Sequence, residues 1–276
     1  MMMLSGQFRF YTTPSSHPNN DPWRVLIMNI AIIGYGRMGQ RIAALAEPDF
    51  GTIVLTLDMH NNSDGKGIDP EVFQDVDVAI DFSHPSAVTT NLRKLITSKT
   101  PVVVGTTGWL HETDSIRNLA LENGVPVIYG SNFSLGVQRF LKLVERAGYL
   151  FGSQSDLHAT IHEVHHTGKA DAPSGTAITL AERWLDGTGI HSSPVYGVPE
   201  RGPVDPKDLV ITSQRVGDVT GEHTLRLRGP FDDITIRHEA RSRDAFAIGA
   251  LKAAQWLVHQ QPGLYFIEEV IEQITG

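Results

Sequence analysis

Between Glu163 and Thr176 the chain packs Glu-Val-His-His-Thr-Gly-Lys-Ala-Asp-Ala-Pro-Ser-Gly-Thr into fourteen residues. His165, His166 and Lys169 form a cationic cluster able to exchange protons. Imidazole titrates near neutral pH, and lysine supplies a fixed positive charge or, if desolvated, a proton. Pro173, Ser174, Gly175 and Thr176 then open a helical pattern through Ala177, Leu180, Ala181 and Trp184. Unpaired N–H groups at a helix start, beside a hydroxyl, bind anions. The chemistry this stretch suggests is a carboxylate or phosphate held next to a proton donor.

His162-Glu163-Val164-His165-His166 also matches the zinc motif H-E-x-x-H. That motif needs a helix, and the run Leu157 to His162 alternates apolar residues as a strand does. Strand positions four apart lie about 13 Å apart, too far for one zinc to join. Gly168 and Pro173 oppose a helix through the motif. No metal is expected.

A second motif offers a cofactor. Met28 to Ile33 is an apolar run of buried-strand type. It leads into Gly34-Tyr35-Gly36-Arg37-Met38-Gly39 and a helical pattern through Ile42, Leu45 and Ala46. A second strand, Ile53 to Leu57, ends in Asp58, 19 residues past Gly39. Strand, G-x-G-x-x-G, helix, strand and acid is the context of a dinucleotide site, with the acid on the adenosine ribose.

The elements that must position both motifs follow the same alternation. Strands are expected over Val76–Phe82, Pro101–Val104 and Val125–Tyr129, with helices over 86–98, 112–122 and 135–151. This predicts a doubly wound parallel sheet of Rossmann type, with ligands at the strands' carboxyl ends. Gly105, Thr106 and Thr107 after the fourth strand, and Gly130, Ser131, Asn132 and Phe133 after the fifth, then lie where a nicotinamide and its ribose would sit. From residue 157 the pattern changes. Strands at 157–164, 210–216, 222–228 and 233–237 predict an antiparallel or mixed sheet in a second α+β domain, with 187–206 a loop. A helix from Ala245 and a last one over 265–274 end the chain.

Residues 1–27 read as a disordered tail, or translation begins at Met28. The expected division is 28–133 with 242–276 for dinucleotide binding, and 134–241 for substrate binding, catalysis and oligomerisation. The net charge of -8 argues against nucleic acid, and no apolar run reaches the roughly 20 residues of a membrane span. With no cysteine, disulfides and thiolate chemistry are excluded, consistent with a reducing cytoplasm.

Together these residues resemble the 4-hydroxy-tetrahydrodipicolinate reductase (dihydrodipicolinate reductase) family. Glu163 to Ala177 is similar to its signature E-x-H-H-x-x-K-x-D-A-P-S-G-T-A. Supporting matches are Gly34 to Gly39, Gly105 to Gly108, Ser131 to Val137, Arg215 with Gly217, Gly221 with His223, and His238 to Ala250. The resemblance implies reduction of a cyclic imine-type dicarboxylate by NADH or NADPH, in lysine biosynthesis by the diaminopimelate route. It implies His165 as acid/base, Lys169 as proton donor, and His166 with Gly175 and Thr176 on the substrate's carboxylates. Ser174 belongs to the same anion-binding turn. Cofactor positions fall on Gly34 to Gly39, Asp58, Gly105 to Thr107 and Gly130 to Phe133, and a homotetramer is implied. Some members place an arginine directly after the ribose-binding acid. Here Met59 follows Asp58, so NADH is expected to serve at least as well as NADPH. Two other classes fit parts of the sequence. One is another Rossmann oxidoreductase on a small amino or keto acid, which would lack the His-His-x-x-Lys and Ser-Gly-Thr pairing. The other is a non-enzymatic NAD(H) sensor, which should carry a partner-binding module.

Overall fold

Short apolar runs separated by amphipathic helices give β1 (Met28–Ile33), α1 (Arg37–Ala46), β2 (Gly51–Leu57), β3 (Val78–Asp81), α2 (Pro85–Thr97), β4 (Val102–Val104), α3 (Thr113–Asn123) and β5 (Pro126–Tyr129). The computed structural model describes residues 27–154, 156–188, 194–197, 204–205 and 208–275. The expected tail therefore lies, but for residue 27, outside the described residues. So does most of the expected loop 187–206.

A long helix α4 (Leu135–Phe151) leads to β6 (His158–His165), α5 (Gly175–Gly187), β7 (Pro194–Tyr196), β8 (Leu209–Arg215), β9 (Glu222–Arg228) and β10 (Asp233–Glu239). Then α6 (Asp244–Leu257), β11 (Gly263–Phe266) and α7 (Ile267–Thr275) complete the chain.

The first sheet is parallel throughout, in the order β11-β5-β4-β3-β1-β2. Alternation along β1 sends Ile30 and Ile32 into a core with α6, and Ala31 and Ile33 into one with α2 and α3. The chain goes from β1 to β2 on one side and returns to β3 on the other. This reversal opens a crevice at the strands' carboxyl ends. The last helical stretch begins later than expected. Gly263 to Phe266 pairs with β5 as a sixth strand, and α7 starts at Ile267. Four residues directly before a helix carry too little periodicity to be read as a strand.

The second sheet is mixed, in the order β10-β9-β6-β8-β7. A mixed or antiparallel sheet was expected, and β9 and β10 pair antiparallel as a hairpin. The mixed character comes from β6, which lies between β8 and β9, parallel to the first and antiparallel to the second. The helix α5 between β6 and β8 provides the crossover a parallel pair requires. β7 falls within the expected loop, where glycine and proline mask a three-residue strand. One face of this sheet packs Ala159, Ile161, Leu225 and Leu227 against Val144 of α4 and Trp184 of α5.

Candidate active site

The first sheet contributes a turn made of backbone. Gly34, after β1, has φ 93°, and a Cβ there would stand 2.4 Å from the carbonyl oxygen of Phe82. A Cβ on Gly39 would stand 2.3 Å from that of Gly34. Only glycine lets turn, strand and helix close this tightly. Gly36 differs: nothing lies within 4 Å of its Cβ position, and it is the N-cap of α1. Open space before the free amides of a helix suits a pyrophosphate. Tyr35 and Arg37 flank it, exposed, and Met38 is half-buried. Asp58 follows β2, its Oδ1 accepting from the His60 amide at 2.8 Å.

Beyond the turn a buried carboxylate organises the neighbouring loops. Asp81, at the end of β3, accepts from the Ser83 amide (2.9 Å), the Ser83 hydroxyl (2.7 Å), the Thr106 hydroxyl (2.7 Å) and Asn91 Nδ2 (3.1 Å). Burial raises its pKa, and these bonds oppose the rise. Asn91 in turn accepts from Asn62, which binds the amide of Gly67. One network thus ties the loop after Asp58 to the loop carrying Thr106 and Thr107. Gly105 abuts the Phe82 ring, where a Cβ would stand at 2.2 Å. Gly130 leaves room for Ile267 and Phe133. Phe133 is buried, edge-on to Phe82.

The second sheet contributes side chains. Its register aligns His238, His223, Glu163 and Ser213 in one row across β10, β9, β6 and β8. His165, two residues after Glu163, shares its face. Glu163 is fully buried. Its Oε1 accepts from the Ser174 amide (3.1 Å) and Arg215 Nη2 (2.9 Å). Its Oε2 lies 3.2 Å from His165 Nδ1 and 3.8 Å from His223 Nε2. Burial alone would raise the Glu163 pKa, but hydrogen bonds from Ser174, Ser213 and Arg215 hold it below the ordinary value. Burial lowers the pKa of His165, aided by Lys169 and Arg215 against Glu163 and Asp171. His223 is pushed down to about 4, by burial first and by His165 next.

Arg215 also donates to the carbonyls of Lys169 and Asp171, clamping the loop between β6 and α5. Lys169 Nζ reaches both oxygens of Asp171, at 2.7 and 2.9 Å. Ser174 caps α5, its hydroxyl accepting from Ala177 (3.2 Å) and meeting His223 Nε2 at 3.1 Å. Its polar groups are thus committed to the fold. The amides of Gly175 and Thr176 stand at the helix start, where no intrahelical acceptor exists.

A cavity of about 880 Å³ brings the two sets together. Thr107, Ser131 and Asn132 line it from the first sheet, and His165, His166, Lys169, Ser174, Gly175 and Thr176 from the second. Asn132 Nδ2 donates to the Thr176 hydroxyl at 3.4 Å, bridging them. Gly34 to Gly39, Asp58, Gly105, Thr106, Gly130 and Phe133 are not on its wall. They lie along the first sheet's carboxyl edge.

The H-E-x-x-H run is a strand up to His165, as expected. His162 is exposed and bonds Thr212 at 2.8 Å, while His166 lines the cavity. A different trio, Glu163, His165 and His223, brings three donor atoms within 4.8 Å of one another. Arg215 already pairs with that carboxylate and Lys169 adds a second positive charge nearby, which works against a metal ion there. In the sequence, Glu163, Arg215, His223 and His238 stand out only as positions of matched motifs, without a role, and Asp81 does not stand out at all. For Glu163 a signal existed: the alternation Leu157, Ala159, Ile161 continues inward to Glu163 and His165.

Two family models match almost the whole chain: "Dihydrodipicolinate reductase, N-terminus" over residues 28–133, and "Dihydrodipicolinate reductase, C-terminus" over 136–271. A 4-hydroxy-tetrahydrodipicolinate reductase from Christiangramia forsetii is 37% identical over 247 residues, covering 90% of this chain and 99% of that one. One from Akkermansia muciniphila is 36% identical, covering 89% and 98%. A solved dipicolinate-bound dihydrodipicolinate reductase from Paenisporosarcina sp. TG-14 shares the fold, with a TM-score of 0.71 at 22% identity, over 89% of this chain and all of that one.

Proposed function

The chain belongs to the dihydrodipicolinate reductase family, and from that premise we propose how its residues divide the work. The reaction is reduction of 4-hydroxy-tetrahydrodipicolinate to tetrahydrodipicolinate with NAD(P)H, the 4-hydroxyl leaving as water while one hydride and one proton are added, in lysine biosynthesis by the diaminopimelate route. The observation that carries the assignment is the shared cavity. It joins Thr107 and Asn132 to His165, Lys169, Gly175 and Thr176.

The cofactor pyrophosphate belongs at the open N-cap of α1, beside Gly34 to Gly39, with Asp58 on the adenosine ribose. The end carrying the hydride belongs against Gly105 to Thr107 and Gly130 to Phe133. The bound nicotinamide supplies the hydride, and the protein's own residues do the rest. Gly175 and Thr176 hold one substrate carboxylate with their amides, and His166 faces another. Lys169 leaves Asp171 for the substrate, an exchange of one carboxylate partner for another. Negative charge developing on the ring is met by a proton from His165 or Lys169. The held carboxylates fix the ring so that proton and hydride arrive at defined faces.

NADH serves at least as well as NADPH in this reading, since Met59 is 81% exposed and carries no charge toward a 2′-phosphate. The division at residues 133/134 and 241/242 follows the return of α6, β11 and α7 to the first sheet. A homotetramer would cover the open face of the second sheet, where Thr235 and Arg237 of β10 are exposed while Ile234 and Ile236 turn to the core. No helix among the described residues is long and apolar enough to cross a membrane, and a cytoplasmic location suits a biosynthetic reductase. The test is steady-state oxidation of NADH and NADPH with substrate generated from aspartate semialdehyde and pyruvate. Turnover with kcat/KM for NADH equal to or above that for NADPH is expected. Absence of turnover with either would defeat the assignment of the site.

A further inference from the structure

We propose that Glu163 is a positioning residue for His165, holding its imidazole in the Nδ1–H form so that Nε2 is the atom that delivers the proton. This rests on the assignment of His165 as a proton donor. The mechanism has no other use for Glu163, which lies behind His165 and Ser174 and is not itself on the cavity wall. Yet it stands at the centre of the row His238–His223–Glu163–Ser213, fully buried.

A buried carboxylate survives only where hydrogen bonds and countercharge replace its water. The fold meets that need at Oε1, with the Ser174 amide and the Arg215 guanidinium. Oε2 is buried with no aligned hydrogen bond, and so is His165 Nδ1. The two unsatisfied atoms stand 3.2 Å apart. A small rotation of either side chain aligns them. An ionised carboxylate has no proton to give, so the shared proton sits on Nδ1. The other end of the ring is left open: at Gly221 a Cβ would stand 3.0 Å from Nε2, and glycine has none. Gly221 and His165 both line the cavity.

When His165 is protonated, Nδ1–H donates to Glu163 and Nε2–H faces the cavity. Transfer from Nε2 leaves a neutral ring whose remaining proton is still held at Nδ1. The carboxylate therefore selects the acid that works, and it favours the protonated ring. The other groups facing His165 are Arg215 from β8, His223 from β9 with His238 behind it on β10, and His166, Lys169 and Asp171 from the following loop. Of these, Arg215 and Lys169 oppose protonation and Asp171 supports it weakly from an exposed position.

Two variants carry opposite signs. Glu163→Gln removes the favourable charge, so the His165 midpoint should fall by about one pH unit. The alkaline limb of kcat/KM should move with it, so that activity on that limb drops about tenfold. The KM for NADH should stay within about twofold. Arg215→Gln removes an opposing charge and frees the carboxylate, so midpoint and limb should rise. Both are read by pH profiles, with deuterated NADH to establish that hydride transfer limits the rate, and by histidine NMR titration of the full chain. Shifts of the same sign, or none, would overturn the proposal; a general loss of packing would not produce opposite shifts. If Glu163→Gln does not fold, the tautomer of neutral His165 in the unaltered protein decides. Nδ1–H supports the proposal, and Nε2–H refutes it. The NMR result needs no substrate, so a wrong choice of substrate would leave it intact while turnover failed.

Discussion

The carboxyl edge of the first sheet and the floor formed by the second solve different problems with different materials. The edge is built from backbone: three glycines, a helix start, and loops whose polar groups are tied to Asp81. It can hold a large anion with few formal charges of its own. The floor is built from titratable side chains at close quarters, with Glu163, His165 and His223 inside one 4.8 Å cluster and Arg215 on the same carboxylate. Such a floor can move protons, but it must keep buried charges balanced. The difference implies that changes on the floor alter chemistry and acid stability, whereas changes at the edge alter which cofactor is held.

The sharpest way to break that contrast is to remove the two proposed proton donors. His165→Gln and Lys169→Ala should each lower kcat by roughly 10²-fold or more. The KM for NADH should stay within about twofold of the unaltered value, because neither side chain belongs to the cofactor edge. Steady-state kinetics with varied NADH separates the two parameters. A cofactor KM that rises in step with the fall in kcat would mean that floor and edge are not separate in function.

The floor should also be the acid-sensitive part. Burial pushes the His223 pKa down to about 4, from 6.5 for the free side chain. Between those values the unfolded chain binds the proton more readily, so stability falls as pH drops from about 6.5 to about 4 and levels off below. The single group accounts for a loss on the order of 3 kcal/mol over that range. Burial lowers His238 and His165 too, so their contributions have the same sign. Denaturant unfolding at pH 7 and at pH 4.5 should show the drop, and His223→Gln should reduce it. An unchanged drop in that variant would place the acid sensitivity elsewhere.

The same contrast explains what could be read from the sequence. The edge is local in the chain: Gly34 to Gly39 are consecutive, and Asp58 ends the next strand, so strand, turn and helix patterns reveal it. The loop from His165 to Thr176 is local as well, and its residues do line one cavity. The floor is not local. Glu163, His223 and His238 become neighbours only because β6 enters between β8 and β9 and the β9–β10 hairpin fixes the register. Nothing in the separate strands announces that pairing. The roles of Arg215 and Asp81 were hidden for the same reason, since each acts on residues that folding brings to it. β7 lies in a stretch rich in glycine and proline, and β11 runs directly into α7, so neither stands apart as a strand.

The smallest expected effect lies at the edge, and it tests whether that edge discriminates by charge alone. Asp58 accepts from the His60 amide, and the next side chain, Met59, is exposed. A 2′-phosphate beside Asp58 would meet like charge, which costs on the order of 1 kcal/mol in water at 4 Å and more where solvent is partly excluded. The helix start at Gly36 favours the pyrophosphate of both cofactors equally, so it cannot offset the difference. The loop behind Asp58 is held in place, since Lys94 Nζ donates to the Gly65 carbonyl at 2.7 Å and Asn62 to Asn91. Lys94 is therefore engaged, leaving His60 and Lys66 as the exposed basic side chains of that loop. Met59→Arg should raise kcat/KM for NADPH relative to NADH by about tenfold at low salt, the equivalent of roughly 1.4 kcal/mol. The gain should shrink as ionic strength rises, because an exposed arginine and a phosphate are screened. kcat with NADH should not move, since the floor is untouched. A variant whose cofactor ratio is unchanged at low salt would show that the edge selects by shape rather than by charge.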